Sequence, residues 1–125
     1  MLQDAATSIE NHQRFIRRVV ESGEVWGLRS AEGWVVSSST HDEGEDASVM
    51  PFWSDRAYAK RAAQGEWAHY EPTPIPLDKF LNVWLKGMHA DGTLVGTNWD
   101  ARNCGLEVAA LELAKELDAE LQGPS

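Results

Sequence analysis

Glu24-Val-Trp-Gly-Leu-Arg-Ser-Ala-Glu-Gly-Trp-Val-Val-Ser-Ser38 sets the tightest limit on what this chain can fold into: two aromatic and β-branched runs divided by a short polar break that ends in Gly33. Alternation puts Val25, Gly27 and Arg29 on one face of the first run and Trp26, Leu28 and Ser30 on the other, the period of a strand. The second run begins with Trp34 and Val36 on one face. The pair reads as a β-hairpin in which Trp26 and Leu28 share a buried face. Gly33 supplies permissive backbone beside the turn, and Gly27 leaves room for close approach to the sheet.

Upstream, Thr7 and Glu10 have the spacing of a capping box, and His12, Phe15, Ile16, Val19 and Val20 recur with helical period. They predict a helix over 8–22, with Arg14, Arg17 and Arg18 on its outer face and Gly23 as its stop. Downstream of the hairpin, 40–48 is a polar, acid-rich loop expected to be mobile. The apolar run 49–53 fits a third strand, with Pro51 pushing it toward a sheet edge or a strand start. Ser54 caps a second helix over 55–64, with a thin face of Ala57, Tyr58, Ala62 and Ala63. Residues 66–75, with Pro72 and Pro74, suit an extended connector or edge strand. Pro76 opens a third helix with the stripe Leu77, Phe80, Leu81, Trp84 and Met88, ending near Gly87. A strand over 93–99, a short strand over 106–108 and a terminal helix on Ala110, Leu113, Ala114, Leu117 and Leu121 complete the chain. Trp26, Phe80, Trp84 and Val95 are expected to be nearly fully buried.

Neighbouring hairpin strands followed by irregular alternation of strands and helices predict an α+β fold. Its sheet is mostly antiparallel and built around the Trp-containing hairpin, with about four helices packed on it. One domain over 1–125 is expected, frayed at 1–6 and 122–125. A doubly wound fold is disfavoured, because the order is not regular βαβ and no Gly-rich loop follows a strand.

Several short motifs occur in a fixed order. They are Phe15 through Val20 leading into 22–28, Gly33-Trp34, Pro51-Phe-Trp-Ser54, Trp67, 75–81 with Trp84-Leu85, and Asp91-Gly-Thr-Leu-Val-Gly96. In that order, from about His12 to Leu117, the chain resembles the DUF2750 family of small, mostly bacterial proteins of unknown function. The resemblance implies one domain and a bacterial source, and carries no activity onto any residue. A looser likeness, the Pro-x-aromatic-Ser/Thr run before a helix, extends to bacterial secretion-linked and toxin-immunity domains.

The formal charge of −9 is uneven, −1 over residues 1–40 and −4 over each of 41–80 and 81–125. Such a balance repels phosphate backbones and anionic lipid, so neither nucleic acid nor a membrane is an expected partner. The single cysteine excludes an intramolecular disulfide, and no signal-peptide h-region or long apolar span is visible. A cytoplasmic protein is expected. Four histidines and one cysteine stand without metal-ligand spacing, so no metal and no cofactor is expected. His12 reads as a core-edge histidine. Nothing nominates a base for Cys104, which is expected to be dispensable.

Two functional readings remain. The leading one is a non-enzymatic protein-binding module, immunity-like or regulatory, for a basic protein. Its candidate surface is the acidic loop, Asp42, Glu43, Glu45 and Asp46, beside Trp53, one of three tryptophans next to turns or prolines. The alternative is a small-molecule binder or enzyme using a cleft near the end of strand 93–99, with Asn98, Asp100 and Arg102. Neither reading fixes an oligomeric state.

Overall fold

The fold is described from a computed structural model for residues 5–38, 48–100 and 104–123. The loop predicted over 40–48 falls mainly outside these residues, as do most of the expected frayed ends. The predicted hairpin forms: β1 (Glu24–Ser30) turns into β2 (Gly33–Trp34), pairing Arg29 with Trp34 and Ser30 with Gly33. The Trp34 ring lies so close over Gly27 that a Cβ there would stand 2.8 Å from it. The close approach expected at Gly27 is therefore made by the hairpin's own second arm.

On its other edge β1 pairs antiparallel with β5 (Glu71–Pro76), matching Val25 with Ile75 and Gly27 with Thr73. Pro72, Pro74 and Pro76 occupy alternate positions. Their missing N–H groups therefore fall on the side away from β1, at the outer edge of this three-stranded sheet, where no ladder bond is lost. The second sheet runs β3 (Ser37–Ser38), β4 (Ser48–Phe52), β6 (Leu94–Thr97), β7 (Leu106–Ala109), antiparallel except for the parallel pair β4–β6. Among the described residues a single bridge joins the two sheets: Trp26 and Trp53 exchange both backbone hydrogen bonds, at 2.8 and 2.7 Å. Pro51 is neither in an edge strand nor at the start of its strand. It stands opposite Gly96 of β6, in the gap between the end of β3 and the Trp26 bridge, where its missing N–H again breaks nothing.

These strands separate two cores. On one side Val25, Phe52 and Val95 meet Phe15, Ile16 and Val19 of α1 (Ala5–Ser22), together with Leu113 and Leu117 of α5 (Ala110–Gln122). On the other, Leu28, Val49, Trp53 and Trp99 meet Ala59 and Ala62 of α2 (Arg56–Ala62). A strand with a core on each side buries both faces, so Val25 and Leu28 are both fully buried while Trp26 is only half-buried. Simple alternation placed only one face inside. The helix α2 turns Ala59 and Ala62 toward the second core and leaves Ala57, expected on its apolar face, exposed.

The predicted third helix is one rod of three parts: α3 (Leu77–Lys79), a π-helical turn (Phe80–Trp84) and α4 (Leu85–Asp91). It passes through Gly87 and stops at Gly92, whose φ of 73° suits a left-handed helix cap. A π turn accommodates an extra residue, which advances the apolar stripe. Phe80, Leu85 and Met88 therefore turn inward and Trp84 moves to the margin. There Trp84 makes edge contacts with Trp34 (4.8 Å between centroids) and Phe52 (5.8 Å). Of the four residues expected to be nearly fully buried, Phe80 and Val95 are; Trp26 and Trp84 are half-buried. At the first helix, α1 already begins at Ala5, so Thr7 lies inside it and is not its N-cap. Ser54 is likewise not the cap of α2, a position taken by Asp55.

Candidate functional site

Where β6 ends, three consecutive residues are buried and each is tied by hydrogen bonds to other parts of the fold. Thr97 Oγ1 lies 2.8 Å from Nδ1 of the buried His12, whose Nε2 donates to Glu116 Oε2 at 2.7 Å. This one ring joins α1, β6 and α5, as expected of a core-edge histidine. Asn98 follows at φ 48°, a left-handed conformation that asparagine tolerates better than most residues. Its side-chain amide is fully tied. Oδ1 accepts from Ser54 N at 2.8 Å, and Nδ2 donates to Ser54 Oγ at 3.1 Å and Asn11 O at 3.2 Å. Trp99 carries the chain on. Its carbonyl accepts from Trp53 Nε1 at 2.9 Å, and its own Nε1 donates to Leu106 O at 3.0 Å.

Just outside this buried knot is a polar cleft of about 370 Å³, lined by Asn11, Arg14, Tyr58, Arg61, Asn98, Trp99 and Asp100. Arg14 donates to Asn11 Oδ1 at 3.0 Å, and the Arg61 guanidinium stacks on Tyr58 with 5.3 Å from Cζ to the ring centroid. Asp100 is tied to Cys104, its backbone N–H donating to Cys104 O and its Oδ1 accepting from Cys104 N.

One turn of α1 beyond Arg14, the Arg18 guanidinium grips Asp55 with two hydrogen bonds, Nε to Oδ1 at 2.7 Å and Nη2 to Oδ2 at 2.5 Å. Those donors, with a further hydrogen bond from Ser54 Oγ, hold the Asp55 carboxyl below its ordinary range. A carboxyl depressed by folding binds its proton more readily in the unfolded chain. Its stabilising contribution is complete above the ordinary aspartate value and is lost as the pH falls through the folded one. Arg18→Gln is therefore expected to move the Asp55 titration up toward the ordinary aspartate range, as read by carboxyl ¹³C shifts. An unmoved titration would show that the guanidinium is not what depresses it.

A second concavity, of about 500 Å³, runs between the α3–π–α4 rod and α5. Its floor is apolar, formed by Leu77, Leu81, Leu85, Ala110 and Ala114. Asp78, Lys86, His89 and Asp118 stand around it, and the half-exposed Leu111 and Leu121 edge it on the α5 side. The helix wall on the rod side includes the π turn, a deviation often found at functional positions.

The family model described as "Protein of unknown function (DUF2750)" matches residues 12–117 of the 125-residue chain. This chain belongs to the DUF2750 family. No curated protein and no solved structure matches it.

In this DUF2750 protein the residues nominated from sequence fall into three groups. Asn98 and Asp100 do line a cleft at the end of β6, although the Asn98 amide is spent on framing it. Arg102, and the acidic set Asp42, Glu43, Glu45 and Asp46, lie outside the described residues. Trp53 is corrected outright. It is fully buried, its backbone bridges the sheets and its ring N–H is engaged, so it contributes no surface. The neighbouring Pro51 suggested an irregular, exposed position, whereas β1 and Trp99 close over it. Sequence reasoning missed Arg14, Tyr58 and Arg61 in the cleft, because helical period reports only which face of a helix is polar. The one local hint was Asn11 and Arg14 at i, i+3, a spacing at which side chains meet. Among the described residues no group of three or more His, Cys, Asp and Glu side chains converges as metal ligands would, and no helix is long and apolar enough to cross a membrane.

Proposed function

We propose that this DUF2750 protein is a non-enzymatic protein-binding module, immunity-like or regulatory, which docks an amphipathic helix of a basic partner in the groove between the α3–π–α4 rod and α5. The observation that carries the reading is the groove itself. An apolar floor between two helices, edged by half-exposed leucines, matches how an amphipathic helix is received, with anchors at i, i+3, i+4 and i+7. Charge selects the occupant. Of the formally charged residues that line the groove, Asp78 and Asp118 stand against Lys86, a local excess of negative charge within a chain that is acidic as a whole. A second copy of a chain bearing −9 would meet like charge, whereas basic flanks on a partner helix would meet acids. The carboxylates of Asp42, Glu43, Glu45 and Asp46 add to the same negative field and would speed encounter at low salt. The single cysteine fits a reducing compartment, so we place this role in the cytoplasm.

A synthetic helical peptide with a leucine stripe and lysine flanks tests the reading, with an isomer carrying glutamate flanks as control. The lysine peptide is expected to bind saturably, and Leu111→Ser with Leu121→Ser, which keeps the net charge, is expected to weaken it by about tenfold or more. Equal binding of the two peptides would remove the charge argument. Binding indifferent to the leucine substitutions would remove the groove.

A further inference from the structure

We propose that the polar cleft at the end of β6 is a second, independent binding site, for a small organic molecule whose carboxylate or phosphate lies between Arg14 and Arg61. The two guanidinium groups arrive from different helices, α1 and α2, and line the same cavity. Neither is paired with a carboxylate among the described residues, whereas Arg18, one turn along α1, is fully committed to Asp55. In a chain of net charge −9 the charged groups lining this cleft among the described residues are two arginines and Asp100, a local excess of positive charge. Planar guanidinium groups present paired N–H donors that match a carboxylate or phosphate edge, and they shed water more readily than an ammonium does.

The frame around them is held by side-chain contacts. Asn98 is locked by three hydrogen bonds to Ser54 and Asn11, Arg61 is stacked on Tyr58, and Arg14 is steadied by Asn11 Oδ1. Donors held in this way lose less side-chain freedom when a ligand arrives. Size admits more than a bare ion. A volume of about 370 Å³ corresponds to roughly a dozen waters, more than an inorganic ion fills. The cleft leaves room beside the oxyanion for an organic body, which would lie against Tyr58 and the edge of Trp99.

Inorganic phosphate and glutarate, each titrated into the full chain at constant ionic strength with chloride as control, test this through the Arg Nε–Hε and Trp99 indole resonances. At least one of the two oxyanions is expected to give saturable shifts at Arg14, Arg61 and Trp99 that chloride does not. The arm that saturates identifies phosphate or carboxylate as the preferred group. Arg14→Gln and Arg61→Gln, both at the surface, are each expected to weaken that binding by about tenfold while leaving the circular dichroism spectrum unchanged. Shifts that rise linearly and equally with all three anions would overturn the proposal, as would saturable binding that both substitutions leave intact. Leu111→Ser with Leu121→Ser should not alter these titrations, which keeps this site separable from the helical groove.

Discussion

Trp53→Ala is expected to destabilise the protein by about 3–5 kcal/mol, the range for emptying the seat of a fully buried tryptophan. This ring is the largest fully buried side chain, and it lies in the core that Leu28, Val49 and Trp99 share with α2. The backbone at Trp53 also carries the only bridge between the two sheets among the described residues. A cavity here sits where neither sheet can collapse without disturbing the other. Trp53→Phe separates the two contributions of the side chain. It refills much of the volume but leaves the Trp99 carbonyl without its donor, an expected loss of about 1–3 kcal/mol. Urea unfolding of the two variants reads both effects. A Trp53→Ala protein within about 0.5 kcal/mol of the parent would mean that the two cores do not depend on this ring.

Gly96→Ala is the second large effect, and it works by crowding instead of emptying. A Cβ at Gly96 would stand 2.5–2.7 Å from the Trp99 indole. That ring has little freedom to retreat: its Nε1 is bonded to Leu106 O, and Gly105 presses on it so closely that a Cβ there would also collide. Overpacking of this kind costs about 1–3 kcal/mol, and a ring held on both sides places the expectation at the upper end. A double-mutant cycle identifies the cause. With Trp99→Leu already in place, Gly96→Ala should cost about 1 kcal/mol less or better, because the colliding atoms are gone. Strict additivity of the two losses would place the strain elsewhere. Trp99 also walls the oxyanion cleft, so Gly96→Ala is expected to disturb the indole resonance used to read ligand binding there.

Local pattern was enough for the elements. Period two in 24–30 and helical period in α1, α3–α4 and α5 were legible because each element has an apolar side, and that side is written into consecutive residues. The α+β class followed from their order, and two of the residues named at the end of β6, Asn98 and Asp100, line a concavity. What period cannot carry is the number of cores. The strand β1 divides two of them, so Val25 and Leu28 are both buried from opposite faces, a fact decided by α1 and α5 on one side and α2 on the other. Nor can it foresee a change of phase inside a helix. The π turn at Phe80–Trp84 moves Leu85 into the seat that uninterrupted spacing assigned to Trp84. Tertiary structure also decided the sites. Trp53 looked exposed beside Pro51 until β1 bridged it, and Arg14 and Arg61, 47 positions apart in sequence, became neighbours only when α1 and α2 packed beside the end of β6. Hydrophobic pattern reports which residues leave water; where two polar faces converge depends on how the helices pack, and that is set by long-range contacts no local window contains.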